Sequence, residues 1–144
     1  MAFSNPTRDE IKQILTDAQV IAVVGLSDNP DRTSYMVSAA MKAKGYRIIP
    51  VNPNAESILG ETCYKSLKDI PEKVDIVNVF RRSEHTPPVA EEAVAIGAKV
   101  LWLQLGIHHD EAVHIAQNGG LKVITDRCIK VEDSILLPNG KSKS

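Results

Sequence analysis

Apolar runs alternate with amphipathic segments along most of the chain. Runs with few polar residues indicate strands buried on both faces, whereas apolar residues at helical spacing indicate amphipathic helices. Strands are predicted at residues 20–26, 46–51, 74–80, 99–105 and 121–125, and helices at residues 34–44, 87–96 and 110–117. This alternation is typical of right-handed βαβ units. It therefore predicts an α/β fold with a five-stranded parallel sheet and helices on both faces.

Short segments flank this pattern at both ends. Apolar positions 11, 14 and 15 form a stripe at helical spacing, and Asn5 or Thr7 can cap this first helix. The last residues are polar and include a proline and a glycine, so we expect them to fray. The predicted organisation is an amino-terminal helix in residues 1–16, the α/β domain in residues 17–136 and a flexible tail in residues 137–144.

The composition excludes several classes of protein. The chain has 144 residues with 17 basic and 18 acidic side chains, whereas a nucleic-acid binder would normally be basic. No run approaches the roughly 20 apolar residues of a membrane span, and no secretion signal precedes the first helix. Two cysteines without a CxxC pair do not make a disulfide framework. We therefore expect a cytoplasmic single domain, too short to carry a separate substrate domain as well.

The loop after the first strand has the features of a phosphate site. Gly25 follows the strand directly, where the backbone must turn sharply or approach a ligand closely. The next helix begins near Thr33 or Ser34, and its free N–H groups and positive dipole end favour an anion. Arg32 adds a cation there. An ordinary strand-helix turn with a capping serine and a solvated arginine explains the same residues.

The end of the second strand argues against a dinucleotide dehydrogenase. Such enzymes usually place Asp or Glu there to bind a ribose diol, but this chain has Asn52 and Pro53. Neither a GxGxxG nor a P-loop motif is present. These differences weaken the case for NAD as a ligand without excluding it.

The third and fourth strands also end in side chains that could meet a ligand. Phe80, Arg81 and Arg82 could stack on a base and clamp phosphate, although Phe80 could equally be core, and at least one arginine should face solvent. Trp102 and Gln104 share one side of their strand. Gln104 could bond a ligand amide or simply satisfy a loop.

The chain lacks a convincing catalytic or metal-binding constellation. His109 and His114 are five residues apart, which does not place them on one helix face, and His108 with His109 is only a weak metal signal. Cys63 and Cys128 are expected to be small buried residues. Asp75 and Asp126 could be structural or catalytic. We therefore predict no catalytic residue and no metal ligand.

Five sequence blocks carry a resemblance to a known family. In order along the chain they are VVGLSDNPDRTSY, GYRIIPVNP, DIVNVFRR, LWLQLGI and GLKVITDRC. Over residues 17–132 the chain resembles the stand-alone CoA-binding domain proteins, which are similar to the amino-terminal domain of the succinyl-CoA synthetase alpha subunit. The resemblance implies a Rossmann-like three-layer sandwich, with coenzyme A lying across the strand ends. The phosphorylated histidine of the synthetase lies in a second domain, so none of the four histidines here inherits its role.

The resemblance also implies which residues meet coenzyme A. The pyrophosphate would lie near the start of the first domain helix, the ribose or pantetheine over the end of strand two, the adenosine at strand three, and the pantetheine path at strand four. At the pyrophosphate the implied residues are Gly25, Leu26, Ser27, Arg32, Ser34 and Tyr35, and at the end of strand two they are Asn52 and Pro53. At the adenosine they are Val79, Phe80 and Arg81, with Arg82 helping the 3′-phosphate. Along the pantetheine path they are Gln104 and Gly106.

Three functions remain open from the sequence. The first is binding of CoA or acyl-CoA without catalysis, as a carrier, sensor or regulator. The second is an NAD(P)-dependent oxidoreductase on the same fold. The third is an interaction module with a vestigial pocket, which could include a homo-oligomer. The thiol end of CoA could also form a mixed disulfide if it lies near Cys63 or Cys128.

Overall fold

A computed structural model describes residues 3–140 and contains a five-stranded parallel sheet. Its strands are β1 (Val20–Val24), β2 (Arg47–Val51), β5 (Ile76–Val79), β6 (Val100–Leu103) and β7 (Lys122–Ile124). They lie side by side in the order β2-β1-β5-β6-β7. The chain therefore starts near the middle of the sheet and builds outward in both directions. The end of β1 lies between the ends of β2 and β5, at the switch point where ligands of open α/β sheets bind.

Helices cover both faces of this sheet. They are α1 (Arg8–Asp17), α2 (Thr33–Ala43), α3 (Thr86–Ala95), α4 (Asp110–Asn118) and α5 (Ile129–Leu136). Apolar residues of α1, α2 and α5 pack on one face of the sheet, and those of α3 and α4 pack on the other. The predicted Rossmann-like three-layer sandwich with a five-stranded parallel sheet is confirmed.

Side chains alternate between the two faces along each strand. In β1, Ile21 and Val23 pack towards α2, whereas Ala22 and Val24 pack towards α3. The other strands follow the same rule, and the alternation continues into the residues just beyond each strand. Consecutive residues at a strand end therefore face opposite sides of the sheet.

Two elements were absent from the sequence prediction. One is a small hairpin of β3 (Ser57–Ile58) and β4 (Glu61–Thr62), which turns through Leu59 and Gly60 with positive φ at both. The other is helix α5, in which Glu132 and Asp133 are buried whereas Val131 and Ile135 are about half exposed. Two inward positions of α5 are acidic and two outward positions are aliphatic, so its apolar residues alone do not mark the face that it buries.

The amino-terminal helix has a clear start. Thr7 caps α1 and forms a capping box with Glu10, so Thr7 rather than Asn5 is the cap. Asn5 instead pairs with both the backbone N–H and the carbonyl of Thr125, each at 2.8 Å, and ties this segment to the end of β7. Of the predicted tail, residues 141–144 lie outside the described range. No helix within residues 3–140 is long and apolar enough to span a membrane.

Candidate functional site

Two clefts flank the end of β1 at the carboxyl edge of the sheet. The first, named the α2 cleft, has a volume of about 460 Å³; the second, named the α3 cleft, has a volume of about 350 Å³. The α2 cleft is lined by Gly25, Ser27, Asp31, Arg32, Thr33, Ser34, Asn52 and Phe80. The α3 cleft is lined by Val24, Val51, Lys65, Ser66, Leu67, Arg81, His85, Pro88, Val89 and Glu92.

Gly25 lies where the two clefts meet, since it lines one and its neighbour Val24 lines the other. Its φ is +85°, and a Cβ at this position would lie 2.3 Å from the Phe80 carbonyl oxygen and 3.3 Å from Arg81 Nε. Only glycine fits a backbone held this close to its neighbour. The backbone between the two clefts therefore carries no side chain at position 25 and packs directly against the backbone of Phe80.

The start of α2 faces the α2 cleft with its backbone donors free of side-chain caps. Arg32 occupies the cap position without a side-chain hydrogen bond, and the first turn has no acidic residue. Ser34 Oγ accepts a hydrogen bond from Ser27 N at 3.0 Å, which fastens the loop to the helix. Exposed first-turn N–H groups and a nearby guanidinium suit an anion. Asp31, which the sequence analysis did not single out, adds one carboxylate to the same cleft.

Asn52 has a structural reason to be an amide rather than an acid. Its Nδ2 donates to the Leu26 carbonyl at 3.0 Å, and its Oδ1 accepts from Asn54 N at 2.8 Å. The first bond joins the loops after β1 and β2, and a carboxylate cannot make it because it has no donor. The residue that argued against NAD at the sequence level thus holds the wall of the α2 cleft in place.

If the α2 cleft holds the pyrophosphate that the family resemblance implies, replacement of Asn52 with aspartate should weaken its binding about tenfold or more. The aspartate would lose the donor to Leu26 and place a charge beside that carbonyl, an arrangement that costs about 1–3 kcal/mol. It should not create NAD affinity. Titration of the variant and the parent protein with CoA and with NAD measures both effects, and an Asn54→Asp variant, changed in the same turn, is the control. Unchanged CoA affinity in Asn52→Asp would contradict this role.

The residues at the end of β5 separate between the two clefts. Phe80 lines the α2 cleft, whereas Arg81 lines the α3 cleft beside Lys65 and His85. Both Arg81 and Arg82 are exposed, so the prediction that at least one faces solvent is confirmed. Arg82 is not among the residues that line either cleft, and its help to a 3′-phosphate stays a prediction.

Lys65 and His85 are cleft residues that the sequence analysis missed. Lys65 follows Tyr64, which bridges to Val51 in parallel and so extends the sheet edge for one residue. A single bridge leaves no apolar run in the sequence, so nothing marked Lys65 as a strand-end residue. His85 lies in a single 3-10 turn, Ser83–His85, immediately before α3. The predicted helix begins two residues later at Pro87, and no residue pattern predicts a separate turn before it.

Several predicted contact residues lie elsewhere. Leu26 and Val79 are fully buried in opposite apolar layers, so their side chains pack in the core, and contact of either residue with a ligand stays a prediction. Tyr35 is partly buried against the apolar layer beside α2, and Pro53 is exposed next to Asn52. Neither is among the residues lining the two clefts, and contact of either with a ligand remains a prediction.

Gln104 and Trp102 help to hold the start of α5. Gln104 is 3% exposed and its Oε1 accepts from Ile129 N at 2.9 Å, while Trp102 Nε1 donates to the Arg127 carbonyl at 2.8 Å. Gly106 N donates to the Asp126 carboxylate at 2.6 Å. These bonds match the interpretation of Gln104 as a loop-satisfying side chain. Gln104 and Gly106 are not among the residues lining the α2 or α3 cleft, so their place beside pantetheine stays a prediction.

The remaining polar candidates have structural partners. His108 lies between Thr125 Oγ1 at 3.1 Å and Asp110 Oδ1 at 2.7 Å, and His109 Nδ1 accepts from Glu111 N to cap α4. Among residues 3–140, no group of three or more His, Cys, Asp or Glu side chains could hold a metal.

Asp75 and Cys63 show pKa shifts that follow from their surroundings. Asp75 Oδ2 accepts from the N–H groups of Gln19 and Val20, both at 2.9 Å. Burial alone would raise the pKa of Asp75, but these donors and the Lys99 ammonium outweigh it and hold the pKa below its usual value. Burial raises the pKa of the Cys63 thiol, which donates to the Asn52 carbonyl at 3.3 Å. Neither shift produces a reactive group at the α2 or α3 cleft. Asp75 is a stable anion at the amino edge of the sheet, opposite these clefts, and Cys63 is held as a neutral thiol.

A third cleft of about 370 Å³ lies at the amino edge of the sheet, between the end of α1 and the starts of β5, β6 and β7. Its acidic groups are already used, since Asp75 binds two backbone donors and Asp17 accepts from Gln13 Nε2. Satisfied polar groups favour a structural cleft over a binding site.

The fold and the strand-end clefts define an α/β domain of the Rossmann-like class. The chain belongs to the CoA binding domain family, which matches residues 19–134. This match confirms the resemblance drawn from the five sequence blocks.

Particular relatives agree with this membership. The chain is 53% identical over 133 residues to the uncharacterized protein YneT of Bacillus subtilis (strain 168), covering 92% of this chain and 98% of that protein. A hypothetical protein from Pyrococcus horikoshii OT3 has a similar solved structure, with a TM-score of 0.89, 37% identity and coverage of 95% and 99%. The alpha subunit of Pyrococcus furiosus acetate–CoA ligase (ADP-forming) II is 29% identical over 122 residues. That match covers 77% of this chain but only 27% of the ligase subunit.

Proposed function

We propose that this protein binds coenzyme A across the end of β1, with the pyrophosphate in the α2 cleft and the adenosine 3′-phosphate in the α3 cleft. The observation that carries the proposal is the pair of clefts that meet over bare backbone at Gly25, each with a cation at its wall. A ligand that fits both clefts needs an anionic centre and a second anionic, partly apolar end. Family membership supports CoA as that ligand.

The α2 cleft suits the pyrophosphate. The uncapped start of α2 supplies backbone donors and the positive end of the helix dipole, and Arg32 supplies a mobile guanidinium. The Asp31 carboxylate in the same cleft repels an anion, so the attraction from the start of α2 and from Arg32 must exceed this repulsion. Arg32 is therefore the side chain expected to matter most for phosphate affinity on this side.

The α3 cleft suits adenosine with a 3′-phosphate. Its walls include the apolar side chains of Val24, Val51 and Leu67, which can cover a flat base. Lys65 and Arg81 place two cations at the same cleft, and a guanidinium binds phosphate well because its donors match two oxygens at once. A ribose with a 3′-phosphate also accounts for the absence of an acidic side chain at the end of β2.

The proposed role is binding without catalysis, as a carrier, sensor or regulator of CoA or acyl-CoA. The strand ends offer cations, an amide and apolar walls, whereas the histidines outside the clefts are engaged in capping and loop bonds. The relatives named as acetate–CoA ligases carry their ligase activity on much longer chains, so we do not extend that activity to this protein.

Calorimetric titration with CoA, dephospho-CoA and NAD tests this proposal. We expect CoA to bind at submillimolar concentration and dephospho-CoA to bind about tenfold more weakly, since a charge-assisted phosphate contact contributes about 1.5–3 kcal/mol. An Arg81→Ala variant should lose the preference for CoA over dephospho-CoA. Arg127→Ala, which changes an exposed arginine that lines neither cleft, is the control and should keep it. Absence of heat with CoA, or tighter binding of NAD than of CoA, would overturn the proposal.

A further inference from the structure

Glu92 presents an unexplained carboxylate at the α3 cleft. It lines this cleft and also the groove of about 450 Å³ that continues from it between α3 and the segment around Lys68. Its Oε1 is buried and has no hydrogen-bond partner among residues 3–140. A buried oxygen without a donor costs free energy. Because Glu92 forms part of the cleft wall, a rotation of its side chain towards the cleft would bring the carboxylate to a donor from outside the chain.

The neighbouring side chains do not supply that donor. Lys65, Arg81 and His85 line the same cleft, and Lys68 lines the continuing groove, yet none of them lies within hydrogen-bonding distance of Oε1. Glu91, the other acidic residue facing the groove, can only accept hydrogen bonds when ionised. The cations at the cleft thus remain available for phosphate, while Glu92 remains available for a neutral donor.

The walls around Glu92 restrict what the donor can be. Val89 precedes Glu92 by about one turn of α3 and, with Val51 and Leu67, gives the cleft an apolar wall. A flat ring fits between such walls, and a carboxylate beside it selects a ring that carries an N–H donor. The amino group of adenine is such a donor, because adenine presents an NH₂ group at position 6.

We propose that Glu92 is a specificity-determining residue that recognises the 6-amino group of the adenine base. This inference rests on the proposed function, since it assigns the base of bound CoA to the α3 cleft. A carboxylate accepts from the adenine amine but opposes the carbonyl oxygen that a 6-oxopurine carries at the same position. Glu92 therefore rejects the deaminated form of the ligand, and Arg81 and Lys65 attract both forms equally through phosphate.

Binding of CoA and of deaminated CoA, which carries hypoxanthine in place of adenine, tests this assignment. The unmodified protein should bind CoA about tenfold or more tightly than deaminated CoA, as expected for loss of one hydrogen bond to a charged group. A Glu92→Gln variant can accept from the amine or donate to the carbonyl, so it should prefer CoA by about threefold or less. The matched control is Glu91→Gln, which makes the same change one residue earlier in the groove and should keep the full preference.

The outcomes separate this inference from the proposed function. Equal affinity of the unmodified protein for the two ligands would overturn the role of Glu92 and leave CoA binding intact. Absence of binding to CoA itself would overturn the proposed function and, with it, this inference. If Glu92→Gln retained the parent preference, the base would be read by another group and the assignment would be wrong. The comparison of two ligands on the unmodified protein does not depend on whether a variant folds.

Discussion

Replacement of Gly25 with alanine should abolish measurable CoA binding and lower the free energy of unfolding by about 3 kcal/mol. The added Cβ would lie 2.3 Å from the Phe80 carbonyl oxygen, and the residue already has φ of +85°. The carbonyl belongs to backbone next to β5, so it cannot move aside as a flexible side chain could. Relief of the clash must displace the ends of β1 and β5 relative to each other, and with them the backbone between the two clefts.

A matched alanine substitution separates the clash from the backbone strain. Gly45 has φ of +105°, but a Cβ there would have no neighbour within 4 Å. Gly45→Ala should therefore cost only about 1–2 kcal/mol, the penalty for a left-handed L-residue, and should leave CoA affinity unchanged because Gly45 lies before β2. Chemical denaturation and calorimetric titration of both variants measure the difference. A Gly25→Ala protein that still binds CoA would show that the ligand does not cross the backbone at Gly25.

The overall fold could be predicted because its strands are buried on both faces. Such strands read as continuous apolar runs, and the runs containing β1, β2, β5, β6 and β7 all appear in the sequence. Each predicted run extends beyond the observed strand at one or both ends, as residues 20–26 do beyond Val24. The excess is physical, since the first loop residue after β1 and β5 remains packed close to the neighbouring backbone.

The division of the site into two clefts could not be predicted from the same patterns. Whether a strand-end residue faces α2 or α3 depends on which residue ends the strand. An apolar run in the sequence does not locate that residue to within one position. The sequence patterns therefore place Phe80 in one group with Arg81, although Arg81 lines the other cleft. Glu92 was missed for a different reason. A glutamate on a helix normally reads as solvated surface, and only its position beside the cleft marks it out.

Helix α5 was not predicted because the residues that it buries include two acidic side chains. An amphipathic helix normally places acidic side chains such as Glu132 and Asp133 on its solvent face, yet both are buried here. Asp133 is acceptable there because Lys44 Nζ donates to Oδ1 at 2.8 Å and the Tyr46 hydroxyl donates to Oδ2 at 2.6 Å. Burial, followed by this bond to the carboxylate, raises the pKa of Tyr46 far above its usual value. The hydrogen bonds of Asp133 with Lys44 and Tyr46 therefore help to hold α5 against the rest of the domain, as an apolar stripe holds the other helices.

Replacement of Asp133 with alanine should lower the free energy of unfolding by about 3 kcal/mol, as expected when a buried carboxylate that accepts two hydrogen bonds is removed. Asp133 is 1% exposed. Its loss leaves the partly exposed Lys44 ammonium with its bond to Ser134 and the Tyr46 hydroxyl with its longer bond to the Leu15 carbonyl, at 3.1 Å. Ser134→Ala is the control, because it removes only the exposed 3.0 Å bond to Lys44, and it should cost less than about 1 kcal/mol.

CoA affinity of the folded Asp133→Ala protein should stay close to that of the parent, because Lys44 and Tyr46 precede β2 and thus lie at the edge of the sheet opposite the two clefts. Denaturation curves of the two variants measure the loss of stability, and titration of the folded Asp133→Ala protein measures binding. A stability loss as small as that of Ser134→Ala would show that apolar contacts around Ile129, rather than this network, dock α5. A stability loss accompanied by loss of CoA binding would show instead that α5 supports the clefts themselves through the bond between Gln104 and Ile129.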